Sequence, residues 1–119
     1  MIRTVYIAGP YTSAPHANTQ DAIIAAEVLA EHGYIPFIPH LYHFWHDMFE
    51  HDYEFWMEQG SEFLSKCDCL VRLPGDSSGA DREVAQALKE GKPVYYGIED
   101  FINKQEAPFI DLLVKADYT

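Results

Sequence analysis

Apolar residues come along this chain in short β-branched or aromatic runs, alternating with longer stretches of helical spacing. Residues 2–8 (Ile-Arg-Thr-Val-Tyr-Ile-Ala) form the first run and stop at Gly9-Pro10, which predicts a buried strand ended by a turn. A polar loop over 11–16, with Pro15 in it, leads to residues 18–32, where Ala22, Ala25, Ala26, Leu29 and Ala30 recur at helical spacing. Asn18 suits the N-cap of that helix and Gly33 its end. Residues 34–38 read as a second strand closed by Pro39, completing a strand–helix–strand unit of crossover size. The stretch 40–51 reads as a long connection or short helix, and 53–66 as a helix with Phe55, Trp56, Phe63 and Leu64 on one face. Residues 67–73 make a third strand, followed by the turn-rich Pro74-Gly75-Asp76-Ser77-Ser78-Gly79. Ser78 is placed to cap a helix over 79–90, with Asp81 in the reciprocal capping-box position. Gly91 ends it, Val94 to Tyr96 form a fourth strand, and 109–114 is a last apolar helical stretch.

Strands alternating with helices imply a parallel sheet covered on both faces. The expected fold is therefore α/β: one Rossmann-like or flavodoxin-like domain over residues 1–119, with a four- to five-stranded parallel sheet flanked by helices. In such sheets ligands bind beyond the carboxyl ends of the strands, where the strand order reverses. The loops after strands one, two and three meet at that edge, and they hold everything chemically suggestive in the chain.

Charge narrows the partners. The chain carries 8 Lys and Arg against 19 Asp and Glu, a formal net charge of −11. Without a Lys/Arg stripe it is not expected to bind nucleic acid or dock on anionic membrane. No apolar run approaches the roughly 20 residues that span a bilayer, and the first residues lack a signal-peptide pattern. Cys67 and Cys69 flank a single residue, a spacing too strained for a disulfide, so both read as reduced thiols in a cytoplasmic protein.

Two segments carry candidate chemistry. Gly75 to Glu83 is a Gly- and Ser-rich loop opening a helix, which presents backbone N–H groups and a positive dipole end to an anion, or else is an ordinary capped start. Glu83 sits one turn inside, where the dipole is expected to keep its carboxylate ionised, as a glycosidic nucleophile requires. The plain alternative is a surface glutamate. The second segment holds His40, His43, His46 and His51 with Asp47 and Asp52. Its spacing of three invites a metal reading, but no His-Glu-x-x-His pattern occurs, and no metal is assigned. An aromatic lid stacking on a base, or aromatics packed at a subunit interface, are the other readings.

Val5-Tyr6-Ile7-Ala8-Gly9-Pro10-Tyr11, Cys67-Asp68-Cys69-Leu70-Val71, residues 77–87 from Ser77 to Ala87, and Gly91-Lys92-Pro93-Val94 resemble, in order and spacing, the blocks of the nucleoside 2-deoxyribosyltransferase family. That family includes nucleoside 5′-monophosphate N-glycosidases. The resemblance implies cleavage or transfer of the N-glycosidic bond of a (deoxy)nucleoside or its 5′-monophosphate, without a cofactor. It implies Glu83 as the nucleophile at C1′, and Tyr6, Gly9 and Pro10 from the first block at the sugar. Ser77 would hold a 5′-phosphate, with Ser78 and Gly79 adding contacts. His43 and Trp45, with His46, would lie in the base-recognition segment near Glu83. The partner is then a small nucleoside or nucleotide. One position departs: family members usually carry an Asp eight residues before Asp68, and here that position is Gly60. Glu58, Glu62 or an acid from 40–52 would have to substitute, or else the domain is a catalytically weak binding module. Asp68 itself reads as a structural hydrogen-bonding residue. The apolar surplus over 44–56 predicts a homodimer or higher homo-oligomer.

Overall fold

The computed structural model describes residues 1–106. Strands β1 (Thr4–Ala8), β2 (Ile35–Phe37), β3 (Cys69–Arg72) and β4 (Val94–Tyr96) form one sheet in the order β2-β1-β3-β4, every pair parallel. Helices α1 (Pro15–Glu31), α2 (Tyr42–Met48), α3 (Tyr53–Lys66) and α4 (Ser78–Lys89) connect them, with a 3-10 turn at Pro39–Leu41. This is the α/β architecture expected from the alternation, with four strands.

The period of two in β1 sorts the core into two layers. Val5 and Ile7 point to one face, where they meet Ala22, Ala25, Ala26 and Leu29 of α1 and Phe101. Tyr6 and Ala8 point to the other, against Leu64 of α3 and Ala80 and Ala87 of α4. Val5, Tyr6, Ile7 and Ala8 are fully buried, as are Cys69, Leu70 and Val71. The alanines of α1 let its backbone lie close to the strands. Asp68, just before β3, accepts hydrogen bonds from the Arg3 and Thr4 N–H groups at 2.8 and 2.9 Å, a structural clamp at the start of the sheet. Cys67 and Cys69 are buried free thiols.

Several boundaries differ from the sequence expectation. Helix α1 begins three residues before Asn18, with Pro15 at its first turn and Ala14 at the cap. Proline pre-sets the backbone angle there and lacks an N–H that would go unpaired. Asn18 is thus inside the helix, and its amide donates to the Tyr11 carbonyl and Ser13 Oγ instead. Helix α4 is capped by Ser77 rather than Ser78: Ser77 Oγ accepts from the Ala80 N–H at 3.1 Å. The cap being one residue earlier, Asp81 falls outside the capping-box position, and its carboxylate pairs with Arg72 at 3.0 Å. Gly33 and Gly91 end α1 and α4 with φ of +90° and +74°. Residues 98–106 are helical, which the sequence reading missed; the expected stretch 109–114 lies outside the described residues. Among the described residues, no helix is long and apolar enough to cross a membrane.

Candidate active site

The chain leaves β1 toward β2 on one side, while β3 pairs on the other, so the strand order reverses beside β1. A cavity of about 300 Å³ opens there, beyond the carboxyl ends of β1 and β3. The loop after β1, the 3-10 turn, α2, α3 and the first turn of α4 all contribute to its wall.

Glu83 and Tyr6 form its back. The period of two aims Tyr6 at the α3–α4 face, where it is fully buried and its hydroxyl donates to Glu83 Oε2. Gly60 of α3 makes this possible: a Cβ there would stand 2.5 Å from Tyr6 Oη and 3.3 Å from Glu83 Oε2. Position 60 therefore faces the carboxyl group, and the missing side chain is the space that Tyr6 fills. Burial pushes the Glu83 carboxyl up to about 7, against the lowering effects of the Tyr6 hydrogen bond and the Arg72 and Arg82 charges. The expectation of a carboxylate kept ionised by the helix dipole is thus overturned, because desolvation outweighs a dipole end worth at most about 2 kcal/mol. The Tyr6 phenol is raised well above its usual range, by burial and then by the Glu83 charge, so it stays a donor.

The remaining expected site residues divide. Gly9, Ser77, Ser78, Gly79 and His43 line the cavity with Tyr6 and Glu83. Trp45 does not: its indole packs edge-on against Trp56 and Phe55, and the residue is 41% exposed. The indole that does line the cavity is Trp56, whose Nε1–H donates to His46 Nδ1 at 2.8 Å. Helical phase in α2 decides this, since His43 and His46 share the inward face and Trp45 lies between them. Pro10 also stays out of the wall, but its carbonyl oxygen lies 3.1 Å from His40 Nε2. That contact makes His40 Nε2 the protonated nitrogen, and burial lowers its pKa, so the ring is neutral.

Sequence reasoning gave no site role to Tyr11, Tyr53, Trp56 and Met57, and weighed His40 only as a metal ligand; all five line the cavity. Only the helical spacing of Tyr53, Trp56 and Met57, one turn apart on α3, pointed toward a shared face. Among the described residues, no three His, Cys, Asp or Glu side chains converge as metal ligands; His46 Nδ1 is already occupied by the Trp56 and His51 N–H groups.

Removing the Tyr6 donor isolates its effect on Glu83. In Tyr6→Phe the carboxyl loses a hydrogen bond that lowers its pKa, so its titration midpoint is expected above the wild-type value of about 7. A carbon-detected NMR titration of the Glu83 carboxyl measures this without reference to activity. An unchanged or lower midpoint would remove Tyr6 from the account.

A family model described as a domain of unknown function, DUF7768, matches residues 3–97, from just before β1 through β4. The chain belongs to this family. Every cavity residue named above lies in the DUF7768 span. A solved structure titled 2-desoxiribosyltransferase from Leishmania mexicana is similar in fold, with a TM-score of 0.61 and 19% identity over 79% of this chain. The DUF7768 chain spans 63% of that structure's length. No curated protein sequence matches it.

Proposed function

We propose that this DUF7768 domain cleaves or transfers the N-glycosidic bond of a nucleoside or nucleoside 5′-monophosphate, with Glu83 as nucleophile. The observation that carries the reading is the placement of the Glu83 carboxyl, one turn into α4, held by Tyr6 in a cavity at the reversal of strand order. A carboxylate there attacks C1′ while the base departs; water or a second base then releases the sugar. The aromatic surfaces of Tyr53 and Trp56 suit a base. The hydroxyl of Ser78 and the first N–H groups of α4 suit a sugar or 5′ oxygen. Because burial holds the carboxyl near 7, only its ionised fraction reacts, and that fraction grows as pH rises through that value.

The test is a panel of nucleosides and monophosphates scored for free base. Wild type is expected to release base from at least one, and Glu83→Gln to lose at least about a hundredfold in kcat with ligand affinity kept within a few-fold. Retained turnover in that variant would falsify the mechanism. Two features favour a second reading, a binding module of low activity: the buried carboxyl of Glu83, whose pKa burial raises, and the bare Gly60. That reading expects nucleosides or nucleotides to raise the melting temperature with no base released.

A further inference from the structure

Tyr11 and His43 line one wall of the cavity, and Asp47 continues a connected file from them outward. Tyr11 Oη lies 2.6 Å from His43 Nδ1, and His43 Nε2 lies 3.4 Å from Asp47 Oδ2. The loop after β1 supplies the hydroxyl, and α2 supplies the imidazole and carboxylate one turn apart. The His43 side chain is 13% exposed and that of Asp47 is 61% exposed, so the file runs from the cavity wall outward to solvent. When neutral, His43 directs Nε2–H to Asp47 and accepts the Tyr11 hydroxyl at Nδ1; when protonated, it donates at both ends. Burial and the Asp47 charge raise the Tyr11 phenol above its usual value, which keeps its proton in place near neutrality.

Glycosyl transfer to Glu83 leaves this file a task. A purine or pyrimidine departs as an anion unless a proton reaches its nitrogen as the bond breaks. Glu83 is committed to the attack and does not also serve as that acid. Asp76 is the other acidic residue of the cavity wall, and it sits exposed at the start of the α4 loop. We propose that Tyr11 is the general acid that protonates the departing base, with His43 and Asp47 as positioning residues that reload it. This rests on the glycosyl-transfer reading above.

The Glu83 carboxylate bonds to C1′ as the C1′–N bond breaks, and that electron pair goes to the base nitrogen. The nitrogen takes the Tyr11 proton, and Tyr11 Oη takes the Nδ1 proton of protonated His43. His43 is left neutral, with Nε2–H on Asp47. Water then bonds to C1′, the ester bond to Glu83 breaks to restore the carboxylate, and the proton lost by water returns through Tyr11 to His43.

The experiment is a series of substrates with one sugar and leaving groups of falling basicity, ending in 4-nitrophenolate, which departs without a proton. Wild type is expected to depend weakly on leaving-group basicity. Tyr11→Phe should fall by about 10²- to 10⁴-fold on the accepted nucleoside and far less on the aryl glycoside, steepening the dependence. His43→Gln should steepen it in the same sense, and it decides the matter if Tyr11→Phe does not fold. An equal fall across the series, or an unchanged rate on the nucleoside, overturns the assignment while leaving Glu83 as nucleophile. Glu83→Gln is run on the same series: if that variant still releases base, the underlying reading fails first. Wild type that releases neither base nor nitrophenolate overturns both.

Discussion

Replacing Glu83 with glutamine is expected to raise the unfolding free energy by about 3 kcal/mol at pH 8.5 and to leave it nearly unchanged at pH 4. Glu83 retains some exposure as a residue, but its carboxyl group is bonded to the fully buried Tyr6 hydroxyl. Its folded-state pKa stands at about 7 against an ordinary 4.5. The folded state therefore holds the proton more tightly than the unfolded chain does. The stability this group contributes is full below about pH 4.5, declines as pH rises, and is gone above about pH 7. Glutamine cannot ionise, and its carbonyl still accepts from Tyr6, so the variant avoids the loss. Urea denaturation of both proteins at the two pH values measures the difference. Parallel stability–pH curves would show that the carboxyl is not desolvated, and the account of a buried carboxyl with a raised pKa would go with it.

Gly60→Ala is expected to destabilise the domain by about 1–3 kcal/mol, a cost in the range of overpacked cores. The added methyl would stand 2.5 Å from Tyr6 Oη. Tyr6 cannot swing aside, because it is fully buried and its ring stacks on Phe37 with centroids 5.6 Å apart. Phe37 stacks in turn on Phe63 of α3, at 4.7 Å, which closes the other side. Relief must come from α3 moving outward or from the hydroxyl leaving Glu83, and either change weakens the site. The double variant Gly60→Ala with Tyr6→Phe should recover most of the lost stability, since the clashing oxygen is gone. Additive losses in that cycle would place the damage elsewhere in α3.

The fold was legible because each strand is short, apolar and closed by Gly or Pro, as at Gly9-Pro10 and Pro39. Alternation of such strands with helices leaves few arrangements open. The helix starts were read less well. Asn18 and Ser78 are both good capping residues, but Pro15 opens the first helix earlier, with Ala14 at its cap, and Ser77 takes the cap of the other. The cavity wall was legible where a loop opens a helix, hence Ser77, Gly79 and Glu83. It was not legible on α2 and α3, where helical phase decides which of two tryptophans faces inward; Trp45 and Trp56 differ in nothing a composition reveals. The protonation of Glu83 was hidden for another reason. It comes from burial of the carboxyl, against the lowering effect of the hydrogen bond from Tyr6, 77 residues away in the chain. No local pattern encodes either.

The pairing of the strands also bears on how the chain comes together. β2 pairs only with β1 and β4 only with β3, so each half of the sheet closes through a single helical crossover. The seam between β1 and β3 is different. It joins Val5 to Cys69 across everything between them, including α1, α2 and α3. Chain-closure entropy and high contact order both assign that seam to a late stage of folding. The cavity takes its walls from both halves and does not exist before the seam forms. A ligand held there recognises only the finished chain, so it stabilises that last docking step by an amount set by its concentration relative to its Kd.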